Sequence, residues 1–127
     1  MTGKASALVA VFVAGLGLSA NPAQAQRTNC SNLQTQMQMN DCSYDNWETA
    51  DAELNRLWRI LKPAADARGQ GAALLRQQRA WLAERDRRCE AERDQFAGGS
   101  IAPQVYWTCM EARTLERNRE FRTMLGQ

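Results

Sequence analysis

Four cysteines, at positions 30, 42, 89 and 109, restrict what this chain can become more than any other feature. An even number of cysteines in a small exported domain reads as two disulfides, because the destination is oxidising. Export is indicated by the first 25 residues. Lys4 supplies the charge of an n-region, Ala7 to Ala20 is almost wholly apolar or small, and Ala23-Gln24-Ala25 follows as a small-x-small cleavage site. The apolar run of about 14 residues falls short of the ~20 needed for a bilayer-spanning helix. Cleavage after Ala25 is therefore expected, leaving residues 26–127 as one domain with no membrane span. A four-thiolate metal site wants close pairs such as Cys-x2-Cys. The spacings here are 12, 47 and 20, and the chain has no histidine, so no metal or other cofactor is expected.

The mature part reads as three helices and no strand. Thr35-Gln36-Met37-Gln38 is a capping box, and Trp47, Ala50, Leu54, Leu57, Trp58 and Leu61 recur at helical spacing behind it. Pro63 is expected to end or kink that helix, with Gly69 and Gly71 completing the turn. A second helix is expected from about Gly71 to Phe96, its inner face marked by Leu74, Leu75, Gln78, Trp81, Leu82, Arg85, Cys89 and Phe96. Gly98-Gly99 stops it. Ser100 is expected to cap a third helix with Pro103 in its first turn, burying Val105, Cys109, Ala112, Leu115 and Leu125. Short connections between long helices force antiparallel neighbours. The fold class is all-α: an up-down-up three-helix bundle stapled by two disulfides.

Hairpin geometry ranks the cysteine pairings. Cys89 and Cys109 lie about ten residues either side of the Gly98-Gly99 hinge, hence at the same level of two antiparallel helices. Cys30 precedes the Thr35 cap by an extended leg of roughly 16 Å. Cys42 lies roughly 10 Å into the helix, so the leg can fold back to it. Cys89–Cys109 with Cys30–Cys42 is the first choice; Cys42–Cys89 with Cys30–Cys109 matches less well and stays open.

Several classes of function are disfavoured. The whole chain has 16 basic and 14 acidic residues, and loss of Lys4 with the leader leaves a net charge of +1. That balance lacks the basic excess of a nucleic-acid binder. Without histidine there is no histidine-based general base, and no phosphate loop or nucleophile elbow is present. The carboxylates interleave with arginines, as in Glu84-Arg85-Asp86-Arg87-Arg88, which reads as a solvated helix face. No catalytic residue is expected. More telling are polar residues on the faces assigned to the core. A hairpin turn near residue 67 brings Arg85 level with residue 50, so an Asp51–Arg85 ion pair inside the bundle is expected, with Thr114 and Arg117 at the same height. Such a layer fixes helix register, since buried polar groups must find partners. Of the tryptophans, Trp107 lies off the stripe assigned to the third helix and is the candidate anchor for a partner.

Four strings in order resemble the LprI-type lysozyme-inhibitor domain. They are Cys30 with Gln36 to Cys42; Ala50-Asp51-Ala52-Glu53-Leu54-Asn55; Gln78-Arg79-Ala80-Trp81 through Arg85-Asp86 to Cys89; and Gly98-Gly99-Ser100 with Cys109, Thr114 and Arg117. The resemblance implies a bacterial envelope or secreted protein with a protein partner, a c-type lysozyme being the implied target. The matched positions Asp51, Leu54, Asn55, Gln78, Trp81, Arg85, Thr114 and Arg117 read equally well as scaffold. A lysozyme cleft holds two carboxylates, so an inserted arginine could block it, which makes Arg87, Arg88 and Arg93 candidates beside Trp107. The alternative is a non-catalytic structural or stress-related envelope protein that binds a bacterial partner or self-associates.

Overall fold

The computed structural model describes residues 27–127, and the proposed leader lies outside them. After a single 3-10 turn, Cys30–Asn32, come three helices: α1 (Gln36–Ala67), α2 (Gly71–Asp94) and α3 (Ala102–Met124). α1 opens on the expected capping box. The Gln38 N–H donates to the Thr35 hydroxyl at 3.2 Å, and the Thr35 N–H donates to Gln38 Oε1 at 3.2 Å. α1 turns into α2 through Gly69, whose φ of 72° is the left-handed conformation. There the Gln70 N–H reaches the Ala65 carbonyl and the Gly69 N–H the Asp66 carbonyl, so two end carbonyls of α1 are satisfied. The bundle runs up-down-up, with α1 and α3 parallel and most closely packed.

Both disulfides follow the first-choice pairing. Cys30 is joined to Cys42 and Cys89 to Cys109, with Cα–Cα distances of 5.6 and 5.5 Å. The core has two apolar parts. Toward the α1–α2 turn, Leu54, Leu57, Leu61 and Ala65 pack on Leu74 and Phe121, flanked by Trp58, Trp81 and Leu125. Toward the other end, Cys89, Cys109 and Met110 are covered by Trp47, Tyr106 and Trp107.

Four local expectations are corrected. Pro63, expected to end or kink α1, does not end it: the helix continues to Ala67. Pro63 and Arg59, whose carbonyl loses its helical donor, both lie on the exposed side. Leu61 and Ala65 on the other side are buried, and that packing carries the helix through. Pro63→Ala should therefore stabilise the fold by about 1–3 kcal/mol, visible as a higher melting temperature. A lower one would mean that the proline's stiffening of the unfolded chain outweighs the lost hydrogen bond. Second, α2 ends at Asp94, leaving Phe96 beyond it and exposed. Third, α3 begins without a side-chain cap, since Ile101 and not Ser100 occupies the N-cap. The Ser100 carbonyl instead accepts from Asn40 Nδ2 at 3.1 Å. Fourth, α3 is rotated from the expected stripe. Ala112 and Leu115 face solvent and Val105 and Leu125 are half-buried, while Met110, Glu111, Thr114, Arg117, Asn118 and Phe121 join Cys109 inside.

Candidate protein-binding surface

Between the two apolar parts lies the expected polar layer. Arg85 is buried, with Nη1 3.8 Å from Asp51 Oδ1 and 3.3 Å from the Thr114 hydroxyl, which in turn donates to the Met110 carbonyl at 2.7 Å. Its Nη2 also pairs with Asp86 at 2.9 Å. Arg117, also buried, donates from Nε to Gln78 Oε1 at 2.9 Å and pairs with Glu120. Both guanidiniums stand against the Trp81 ring, 5.1 Å away for Arg85 and 5.6 Å for Arg117. Asn118 ties α3 to α1 by donating to the Ala50 carbonyl at 3.0 Å. Asn55 sits outside this layer, exposed and bonded only to Asp51 at 3.3 Å, while Leu54 belongs to the core. Six of the eight motif positions (Asp51, Gln78, Trp81, Arg85, Thr114 and Arg117) thus meet in one layer that links all three helices. A layer so enclosed holds register and presents little to a partner.

Below it, Glu53 receives Arg56 at 2.7 Å and Arg122 of α3 at 2.9 Å. The Arg56 hydrogen bonds, then that of Arg122, hold the Glu53 carboxyl below its ordinary value despite partial burial. A depressed folded-state pKa stabilises above the unfolded value, and that contribution is lost as the pH falls through the folded one. Glu53→Gln should therefore lower stability at neutral pH by no more than about 1 kcal/mol. The difference between the two proteins should vanish in acid. A difference that persists there would assign it to packing.

The disulfide end carries the aromatic surface. Trp107 is half-buried and stacks on Trp47 at 4.8 Å, with Tyr44 and Tyr106 edge-on at 4.8 and 4.7 Å. Tyr44 is partly exposed and donates to Glu48 at 2.9 Å, which raises the phenol's pKa. Burial, then the charges of Asp86 and Glu90, raises that of Tyr106. Met37, 74% exposed, stands one turn before Asp41 on the same helix. Of these, Met37, Asp41, Tyr44 and Trp107 line a groove of about 600 Å³ between the first turns of α1 and the start of α3, closed by Gly99, Ser100 and Pro103. Gln36 bridges the helices there, donating to both Asn40 and Gln104 at 2.8 Å.

The candidate arginines lie on α2 instead. Arg87 pairs with Glu84, Arg88 with Glu92 at 3.9 Å, and Arg93 with Asp94 at 3.0 Å, its guanidinium 5.3 Å from the Tyr106 ring. Arg87 is the most exposed of the three. Trp107 is thus not brought together with Arg87 and Arg88. Sequence reasoning missed the N-terminal strap as well. Thr28 exchanges two hydrogen bonds with Asn46, at 3.0 and 2.8 Å, and Arg27 Nε lies 2.6 Å from the buried Glu111 carboxylate. Glu111 sits in a run of α3 that alternates polar and apolar residues too evenly to mark an inner face.

Comparison with known proteins decides the kinship. The family described as lysozyme inhibitor LprI matches residues 27–121, nearly the whole bundle. The chain belongs to the lysozyme inhibitor LprI family. An uncharacterized protein of Rhizobium meliloti (strain 1021) is 33% identical over 118 residues, covering 82% of this chain and 85% of its own. No solved structure matches the chain. Membership of the LprI family implies a protein partner. Among the described residues no helix is long and apolar enough to cross a membrane. The arginine–aspartate layer is enclosed, whereas Met37 and Tyr44 at the aromatic end are open to solvent.

Proposed function

We propose that the protein is exported, loses residues 1–25 and inhibits lysozyme or a related peptidoglycan-cleaving enzyme by occlusion, in the periplasm or outside the cell. The observation that carries this reading is the match to the lysozyme inhibitor LprI family over residues 27–121. The geometry suits occlusion. One disulfide clamps α2 to α3 and the other ties the N-terminal strap to α1, and an interface preformed in the free protein loses little ordering entropy on binding. Inhibition requires no chemistry from the inhibitor, in keeping with carboxylates that are largely ion-paired to neighbouring arginines. Trp107 and the α2 arginines Arg87, Arg88 and Arg93 are the proposed contact residues. The arginines would act by entering a cleft that holds two carboxylates.

The test is lysis of peptidoglycan by a c-type lysozyme, titrated with the oxidised protein. Inhibition that saturates near equimolar ratio is expected, weakened by substitution of Arg87 and Arg88 or of Trp107. Lysis unaffected at large excess would remove this target. The structural envelope protein would then stand ahead, and self-association by sedimentation would be its first check. Export has its own readout: the mass of the protein recovered from the periplasm or medium should correspond to a chain beginning at Gln26. A chain recovered intact from the cytoplasm would contradict it.

A further inference from the structure

The first half of α1 is one-sided in charge. From Gln36 to Asn55 it holds Asp41, Asp45, Glu48, Asp51 and Glu53 and not one basic residue. Asp51 and Glu53 are taken by Arg85, Arg56 and Arg122. Asp41, Asp45 and Glu48 are exposed and form no ion pair with any described residue. Positions 37, 41, 44 and 48 are separated by four, three and four residues, so Met37, Asp41, Tyr44 and Glu48 form one stripe along the helix. The stripe borders the groove whose other wall is Pro103 and Trp107.

We infer that this acid-edged aromatic groove is the docking site for a cationic protein, receiving an arginine side chain from it between Asp41 and the rings of Tyr44 and Trp107. A guanidinium suits the place on two counts. It pairs with a carboxylate through a planar fork and stacks on aromatic faces, whereas an ammonium does only the first well. Met37 and Pro103 supply the adaptable apolar rim that excludes water around such a contact. Charge complementarity fixes the class of occupant. An overall charge near zero conceals a local negative surface, which a cationic partner meets with complementary charge. The inference rests on the inhibitor reading only for the identity of the partner, and the geometry of the groove stands apart from it.

The test uses the oxidised protein and two probes, a blocked tetra-arginine peptide and a c-type lysozyme. Peptide titration followed by NMR should give saturable shifts confined to Met37, Asp41, Tyr44 and the Trp107 indole, with tetra-lysine weaker. The double variant Asp41→Lys/Glu48→Lys should weaken peptide binding at least tenfold. Glu84→Lys/Glu116→Lys, with the same change of net charge on exposed positions elsewhere, should leave it within twofold. Shifts scattered over the surface, or equal losses in both double variants, overturn the proposal. Wild-type inhibition of lysozyme that survives Asp41→Lys/Glu48→Lys removes the groove as the inhibitory contact and leaves the inhibitor reading intact. Peptide seated in the groove without any inhibition of lysozyme does the reverse: it supports the groove and discards the enzyme as its partner.

Discussion

Replacing Cys89 and Cys109 together by alanine should destabilise the protein by about 2–5 kcal/mol, the range for a native disulfide of a small domain. Two contributions point the same way. The bridge closes a loop of 20 residues, and releasing it restores entropy to the unfolded chain. Cys89 is also completely buried and lies in the apolar part that Met110, Trp47 and Trp107 complete, so the substitution opens space in a packed core. Cys30–Cys42 presents a contrast. Its loop is 12 residues and Cys30 lies outside the helices, so its loss should mainly free the strap that holds Arg27 on Glu111. Urea unfolding of the two alanine pairs measures both. A larger loss for the Cys30 and Cys42 pair than for Cys89 and Cys109 would show that the strap, and not the α2–α3 clamp, holds the bundle.

Arg85→Ala should lower stability by about 2–4 kcal/mol, because it removes a buried side chain that touches all three helices. The guanidinium's contacts with Asp51, Thr114 and the Trp81 ring go together with the packing of its stem. Charge and packing can be separated. Arg85→Met keeps most of the stem, and an apolar replacement in a buried ionic layer is often close to neutral. Asp51 is partly open to solvent, so it is not left as a dry charge when its partner goes. Methionine should therefore recover more than half of the loss. Thermal unfolding of both variants reads this out. Methionine as damaging as alanine would place the stabilisation in the charge itself.

What the sequence made legible and what it hid follow from how local each determinant is. The Thr35 capping box, the Gly69 turn and the Cys89–Cys109 clamp depend on a few neighbouring residues or on counting along two helices, and each stands as expected. The Asp51–Arg85 pair came from the same counting. Pro63 does not stop α1 because a local rule meets tertiary packing: Leu61 and Ala65 on either side are core residues, and their burial outweighs one missing hydrogen bond. The face of α3 was misjudged for a different reason. Its inner positions include Glu111, Thr114, Arg117 and Asn118, so the usual apolar signal is absent, while Ala112 and Leu115 point outward. The same polar interior hid Glu111. At the candidate surface Trp107 was found because it fell off an apolar stripe, although that stripe is not the buried one. Met37, Asp41, Tyr44 and Glu48 carried a readable signal in their spacing and in the lack of any basic residue between Arg27 and Arg56. The meeting of Met37, Asp41 and Tyr44 with Pro103 is long-range and needed the fold.

We claim that this bundle binds a lysozyme so as to close its cleft; sedimentation of the oxidised protein with a c-type lysozyme, run with and without a cleft-filling chito-oligosaccharide, reads out both parts. A one-to-one complex that the saturating sugar weakens is the expected result. Two species that sediment independently at micromolar concentrations would contradict the claim, as would a complex indifferent to the sugar.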